Sequence, residues 1–138
     1  MKPTSKLEKD LKNYNSLDCF FKENREELVS ENLSAMLLAM LKAKGLTRGE
    51  VIKASNLNEV YTYQIFSGVR RPSRDKLLCL TLAMNASLEE TQNLLKKSEF
   101  APLYARNRRD SIIIFCIEHN KTVIEVNQAL YERGESIM

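Results

Sequence analysis

Between residues 58 and 74 the chain gathers the side chains best suited to recognition: Glu59, Val60, Tyr63, Gln64 and Ser67, then Arg70, Arg71 and Arg74. If this stretch is helical with Thr62, Ile65 and Phe66 turned inward, helical spacing puts the first five on the opposite, exposed side. Such a rod fits the major groove of B-DNA, where each base pair shows a distinct edge. There Gln64 suits adenine through donor and acceptor, Glu59 suits a cytosine amino group, and Val60 suits a thymine methyl. Arg70, Arg71 and Arg74 follow closely enough to clamp the sugar-phosphate backbone, which sets orientation and most of the salt-sensitive affinity. From Lys44 to Lys76 there are seven cations against three anions, a local balance of +4 that exceeds the +3 of the whole chain. Positive charge is therefore concentrated where a polyanion would sit.

The same residues support a second reading. The presumed recognition helix holds no Lys or Arg, and Glu59 would point a carboxylate towards a polyanion. Tyr61, Tyr63 and Val60 also suit a protein-binding surface. Catalytic readings find less. His119 lies one helical turn beyond Cys116, but Cys116 falls in an apolar run that must be buried, with no third ligand or orienting carboxylate nearby. A surface histidine near a helix C-terminus accounts for it. The four glycines are scattered at helix ends and turns rather than gathered in a phosphate loop. No catalysis, cofactor or metal is expected.

The elements that must position these side chains are legible around them. Thr47 followed by Glu50 reads as a capping box that opens a short helix with Val51 and Ile52 inward. Asn56 stands where the chain must turn sharply, and asparagine tolerates the left-handed conformation. Asn58 caps the second helix, which stops at Gly68. From Leu46 to Ser73 the chain resembles the XRE, or phage-repressor/Cro-like, helix-turn-helix domains without a gap. The residues that carry the likeness are Leu46-Thr47, Glu50, Val51, Leu57, Tyr61, Ile65, Gly68 and Arg70-x-Pro72-Ser73. It continues through Ala83, Met84 and Ser87-Leu88-Glu89-Glu90, covering about the middle half of the chain. Three positions depart from the pattern: Asn56 replaces the usual turn glycine, Ile52 a small residue, and Arg48 a glutamine. The resemblance implies a five-helix bundle with its second motif helix in the major groove. It sets Asn58, Glu59, Val60 and Gln64 against bases, and Arg48, Tyr63 and Ser67 at or near phosphates.

Either side of the motif, apolar spacing predicts more helix. Ser5-x-x-Glu8 opens one with Leu7, Leu11 and Tyr14 on a single side, and Ser16 begins another with Leu17, Phe20 and Phe21. Ser30 caps an amphipathic helix with Leu33, Met36, Leu37, Met40 and Leu41 inward, ended by Gly45. Ser73 caps a helix apolar nearly all round, which belongs at the centre of the bundle. Ser87 to Leu95 supplies the next. After Pro102 come a basic cluster, Arg106, Arg108 and Arg109, and an apolar run over 112–117 that could pair as a strand. A helix is preferred there, because no second strand candidate exists to satisfy its backbone. Thr122 then caps a last helix running to Gly134. These two form a hairpin that must bury a face on its own chain or on a second copy.

A chain of 138 residues with three widely spaced cysteines, Cys19, Cys79 and Cys116, suits one domain with reduced core thiols. No apolar run approaches a membrane span and the start is unlike a secretory signal, so a soluble, cytoplasmic protein is expected. The resulting expectation is an all-α protein: an N-terminal extension over 1–30, a helix-turn-helix domain over 31–98, and a terminal hairpin over 99–138. Its expected partner is double-stranded DNA, bound as a repressor-like transcriptional regulator, with a homodimer through the terminal helices. The alternative is a protein-protein interaction module on the same fold.

Overall fold

The computed structural model describes residues 32–138. The expected helices around Leu7 and Phe20, the Ser30 cap and Cys19 lie outside the described residues.

Seven helices and no strand make up the described chain. In order they are α1 (32–44), α2 (Arg48–Ser55), α3 (Glu59–Phe66), α4 (Arg74–Ala83), α5 (Leu88–Lys97), α6 (Arg108–Glu118) and α7 (Val123–Glu132). The starts of α2 to α7 are each fixed by a side-chain oxygen that accepts a free backbone amide. The caps are Thr47, Asn58, Ser73, Ser87, Asn107 and Thr122. Ser87 with Glu90 and Thr122 with Glu125 form reciprocal boxes. At Thr47 only half of the expected box forms: its hydroxyl accepts from the Glu50 amide at 3.2 Å, while Glu50 adds its charge to the first turn.

The apolar run over 112–117 is helical, as its lack of a partner strand required. One face of α6 buries Ile113, Cys116 and Ile117, while Phe115 remains 57% exposed and stacks on His119. Helix α4 is the buried centre, with Leu77, Leu78, Cys79, Leu80 and, at its C-cap, Met84 at 1% exposure or less. The hairpin of α6 and α7 adds Ile113, Val126 and Leu130 to the same apolar cluster that holds Leu37, Phe66 and Leu95. Its buried face is therefore covered by its own chain.

Two polar devices fasten the hairpin. Arg74 and Asp75 open α4, and Arg109 and Asp110 fall in the first turn of α6. They pair crosswise, Arg74 with Asp110 and Arg109 with Asp75. The Gln92 side chain meanwhile donates to the Leu103 carbonyl at 2.8 Å and accepts the Leu103 amide at 2.7 Å. It satisfies a stretch of loop that has no secondary structure to do so.

Candidate nucleic-acid interface

Helices α2 and α3 are joined by three residues. Asn56 takes the left-handed conformation (φ 59°) expected of it, and the Ser55 hydroxyl accepts from the Leu57 amide at 3.3 Å. The Asn58 side chain accepts from the Tyr61 amide at 3.0 Å and starts α3. Helix α3 then divides as its spacing predicts. Thr62, Ile65 and Phe66 are at most 1% exposed, and the buried Ser34 hydroxyl of α1 donates to the Phe66 carbonyl. On the other side Val60 is 66% and Tyr63 40% exposed, Glu59 and Ser67 are exposed, and Gln64 is half-buried. No other element covers that side among the described residues.

Cations border it at two places. The Arg48 guanidinium, at the start of α2, lies 6.0 Å from the Tyr63 ring centre. Arg70 lies 5.5 Å from the Tyr61 ring centre, and its Nε donates to Gln64 Oε1 at 2.9 Å. The structure thus brings Asn58, Glu59, Val60, Gln64, Arg48, Tyr63, Ser67 and Arg70 around one exposed helix face.

Arg71 and Arg74 are engaged elsewhere. Arg71 stacks 4.3 Å from the Phe100 ring centre and donates to the Ser98 carbonyl at 2.7 Å; its Nε is buried without a partner. Arg74 donates to the Ala101 and Pro102 carbonyls and to both oxygens of Asp110. Both hold the loop after α5 and the hairpin in place. With Lys44 also engaged, by Glu90 at 3.1 Å, the seven cations between Lys44 and Lys76 narrow to Arg48, Lys53, Arg70 and Lys76. Of the terminal basic cluster, Arg109 is paired with Asp75, Arg108 lies 3.9 Å from Glu135, and Arg106 is exposed.

Sequence reasoning missed two features here. The first is the crossed ion pairs, whose trace in the chain is an Arg-Asp dipeptide one or two residues after each of two helix caps, at Ser73 and Asn107. The second is the bond between Gln64 and Arg70, which depends on how Gly68 (φ 79°) folds the chain back over the end of α3.

Nothing in the structure joins Cys116 to His119 as a reactive pair. Burial raises the Cys116 thiol, the more so beside Glu125, against the weaker pull of Lys121 and Arg133. His119 Nδ1 sits 2.8 Å from the Phe115 carbonyl. Among the described residues no cluster of His, Cys, Asp and Glu could hold a metal ion, and no helix is long and apolar enough to cross a membrane. A cavity of about 530 Å³ opens on the hairpin beside Ile112, Phe115 and Ala129, and the α3 face is not among its walls.

No known protein family, curated protein or solved structure matches the chain.

Proposed function

We propose that the protein binds duplex DNA in a sequence-dependent way, with α3 in the major groove, and regulates transcription as the repressor-like helix-turn-helix proteins it resembles do. One observation carries this reading: α3 is anchored by Thr62, Ile65 and Phe66, while its Glu59–Val60–Tyr63–Gln64 side is left open between Arg48 and Arg70. A groove reader needs that division, because the inserted face must be rigid from behind and bare in front. Asn58, Glu59, Val60 and Gln64 are the base-facing set. Arg48, Tyr63, Ser67 and Arg70 are the phosphate-facing set, with Arg71 and Arg74 moved to a supporting role by their internal bonds. The activity is non-enzymatic and the setting cytoplasmic. A homodimer through the terminal helices belongs to the same proposal, with Phe115, Ile124 and Tyr131 exposed on the hairpin for it.

Titrating labelled duplexes at several salt concentrations tests this. Saturable binding that weakens steeply with salt, and that Arg48→Ala reduces on all sequences alike, is the expected result. A second reading, a protein-interaction module, is favoured by the 66% exposure of Val60 beside Tyr63 and by the absence of any cation within α3 itself. Loss of a co-purified protein on Val60→Asp, with DNA never bound, would establish that instead.

A further inference from the structure

We propose that the homodimer named above is an antiparallel pair of α7 helices, in which Ile124 of each copy packs on Tyr131 of the other. This rests on the homodimer reading and not on DNA binding. Helix α7 buries Val123, Val126 and Leu130 at 2% exposure or less, and leaves Ile124 at 65% and Tyr131 at 78%. Those two are seven residues apart, close to two full turns, so they stand on one side of the helix with exposed Gln128 between them.

The charges along α7 reverse from one end to the other. Lys121 stands just ahead of the Thr122 cap and Glu132 at the last helical position, both exposed. Both line the cavity beside Phe115, which puts them on the same flank of the helix. Their partners within the chain hold them weakly: Lys121 lies 4.0 Å from Glu125 and Glu132 lies 4.0 Å from Arg133, all four well exposed.

A two-fold axis crossing α7 between Asn127 and Gln128 brings equal flanks together in opposite directions. It sets Lys121 near Glu132, Ile124 against Tyr131, and each Gln128 beside its own copy. Gln128 donates one amide hydrogen to Glu132 at 3.1 Å, which leaves the other hydrogen and its oxygen for a reciprocal pair. Parallel helices would instead set Lys121 on Lys121 and Glu132 on Glu132, with their dipoles aligned. A surface that complements itself under one rotation and repels itself under the other fits a second copy of this chain. Two turns of helix make a small seam by the standard of stable interfaces, so the dimer should need high concentration.

Sedimentation equilibrium from micromolar to millimolar chain should show a reversible monomer–dimer step that Ile124→Glu abolishes, its fold intact because the side chain is exposed. In a Cys19→Ser background the free cysteines of the described residues, Cys79 and Cys116, are buried, so new thiols report the arrangement. Gln128→Cys should form a disulfide-linked dimer on mild oxidation, as should Ile124→Cys mixed with Tyr131→Cys. Ile124→Cys alone should not, since antiparallel pairing holds its two copies about 10 Å apart along the axis. Lys121→Glu and Glu132→Lys should each weaken the dimer severalfold, and together restore it. A dimer that survives Ile124→Glu, or that cross-links through Ile124→Cys alone, would overturn this arrangement and leave the homodimer standing. A chain monomeric throughout would remove both; loss of thermal stability in its Ile124→Glu variant would then assign the face to residues 1–31. DNA binding is read separately and is untouched by either result.

Discussion

The Arg74 guanidinium grips the Asp110 carboxylate with both terminal nitrogens, Nη1 to Oδ1 at 3.1 Å and Nη2 to Oδ2 at 2.9 Å. The two residues are 36 apart in the chain, and the contact ties the start of α4, just after the arginine loop, to the first turn of α6. Asp110 is 7% exposed, so removing its carboxylate leaves the Arg74 fork short of its main acceptor in a poorly solvated site. Asp110→Ala should cost about 2–3 kcal/mol in urea unfolding. Arg74→Ala should cost a similar amount, and the double variant clearly less than the sum of the two. Strict additivity would show that the pair is decorative.

The same carboxylate gives the fold a pH dependence. Burial pushes Asp110 up, but the Arg74 fork, the Tyr104 amide and the charge of Arg109 outweigh it and hold the group below the usual carboxylate range. A depressed folded-state pKa means that its contribution is present above the unfolded value, about 4, and is lost as pH falls through the folded value. Acid titration of stability at fixed urea should therefore show a decline below about pH 4 that is shallower in Asp110→Asn. An identical acid limb in both proteins would contradict this.

Cys79 allows a chemical check on the core. Its thiol is 1% exposed at the centre of α4, and burial, with Asp75 adding to it, raises it to about 11 against the opposing pull of Lys76 and Arg109. Because the thiolate is the nucleophile, Cys79 should resist iodoacetamide at pH 8 in the native protein and react once urea unfolds it. Peptide mass mapping reads this site by site. Labelling of native Cys79 at the rate of an open thiol would show that α4 is not the closed centre of the bundle.

The contrast between α3 and the arginines shows what the sequence could reveal. The inward set of α3, the caps at Asn58 and Ser73, and the left-handed Asn56 all follow from local rules, so they were readable from neighbours a few residues away. The helical state of 112–117 needed only the absence of a partner strand. The fate of Arg71 and Arg74 was not local. Each is decided by groups 27 or more residues away, Ser98, Ala101 and Asp110, that only folding brings near. A guanidinium after a glycine looks the same in sequence whether it faces a phosphate or a carboxylate of its own chain. The packing of the hairpin on α4 and α5 was open for the same reason, since its apolar face fits any apolar surface equally well.

The α2–α3 turn can be tested without DNA. Asn56 holds φ 59° with its side chain exposed, so its conformation rather than its contacts decides what is tolerated there. Asn56→Gly should be neutral or slightly stabilising, whereas Asn56→Val, β-branched in the left-handed region, should lose about 1–2 kcal/mol. Thermal unfolding of both variants measures this. Equal losses would mean that the asparagine side chain, not the backbone angle, is what the turn requires.

Glu59 is the residue on which the two functional readings part most sharply. Its exposed carboxylate, at the first position of α3, favours the helix N-terminus electrostatically yet would bring a negative charge up to a polyanion in any groove complex. If α3 enters DNA, Glu59→Gln removes one repelling charge, and low-salt affinity for random duplexes should rise severalfold. Discrimination at one C·G pair should fall at the same time, because the neutral amide is a weaker acceptor for the cytosine amino group. If the α3 face binds a protein instead, DNA affinity should be indifferent to the change. Binding isotherms of the two proteins at 50 and 200 mM salt, on one selected and one scrambled duplex, separate these outcomes. A rise confined to the scrambled duplex would place Glu59 at a base; an equal rise on both would place it at the backbone.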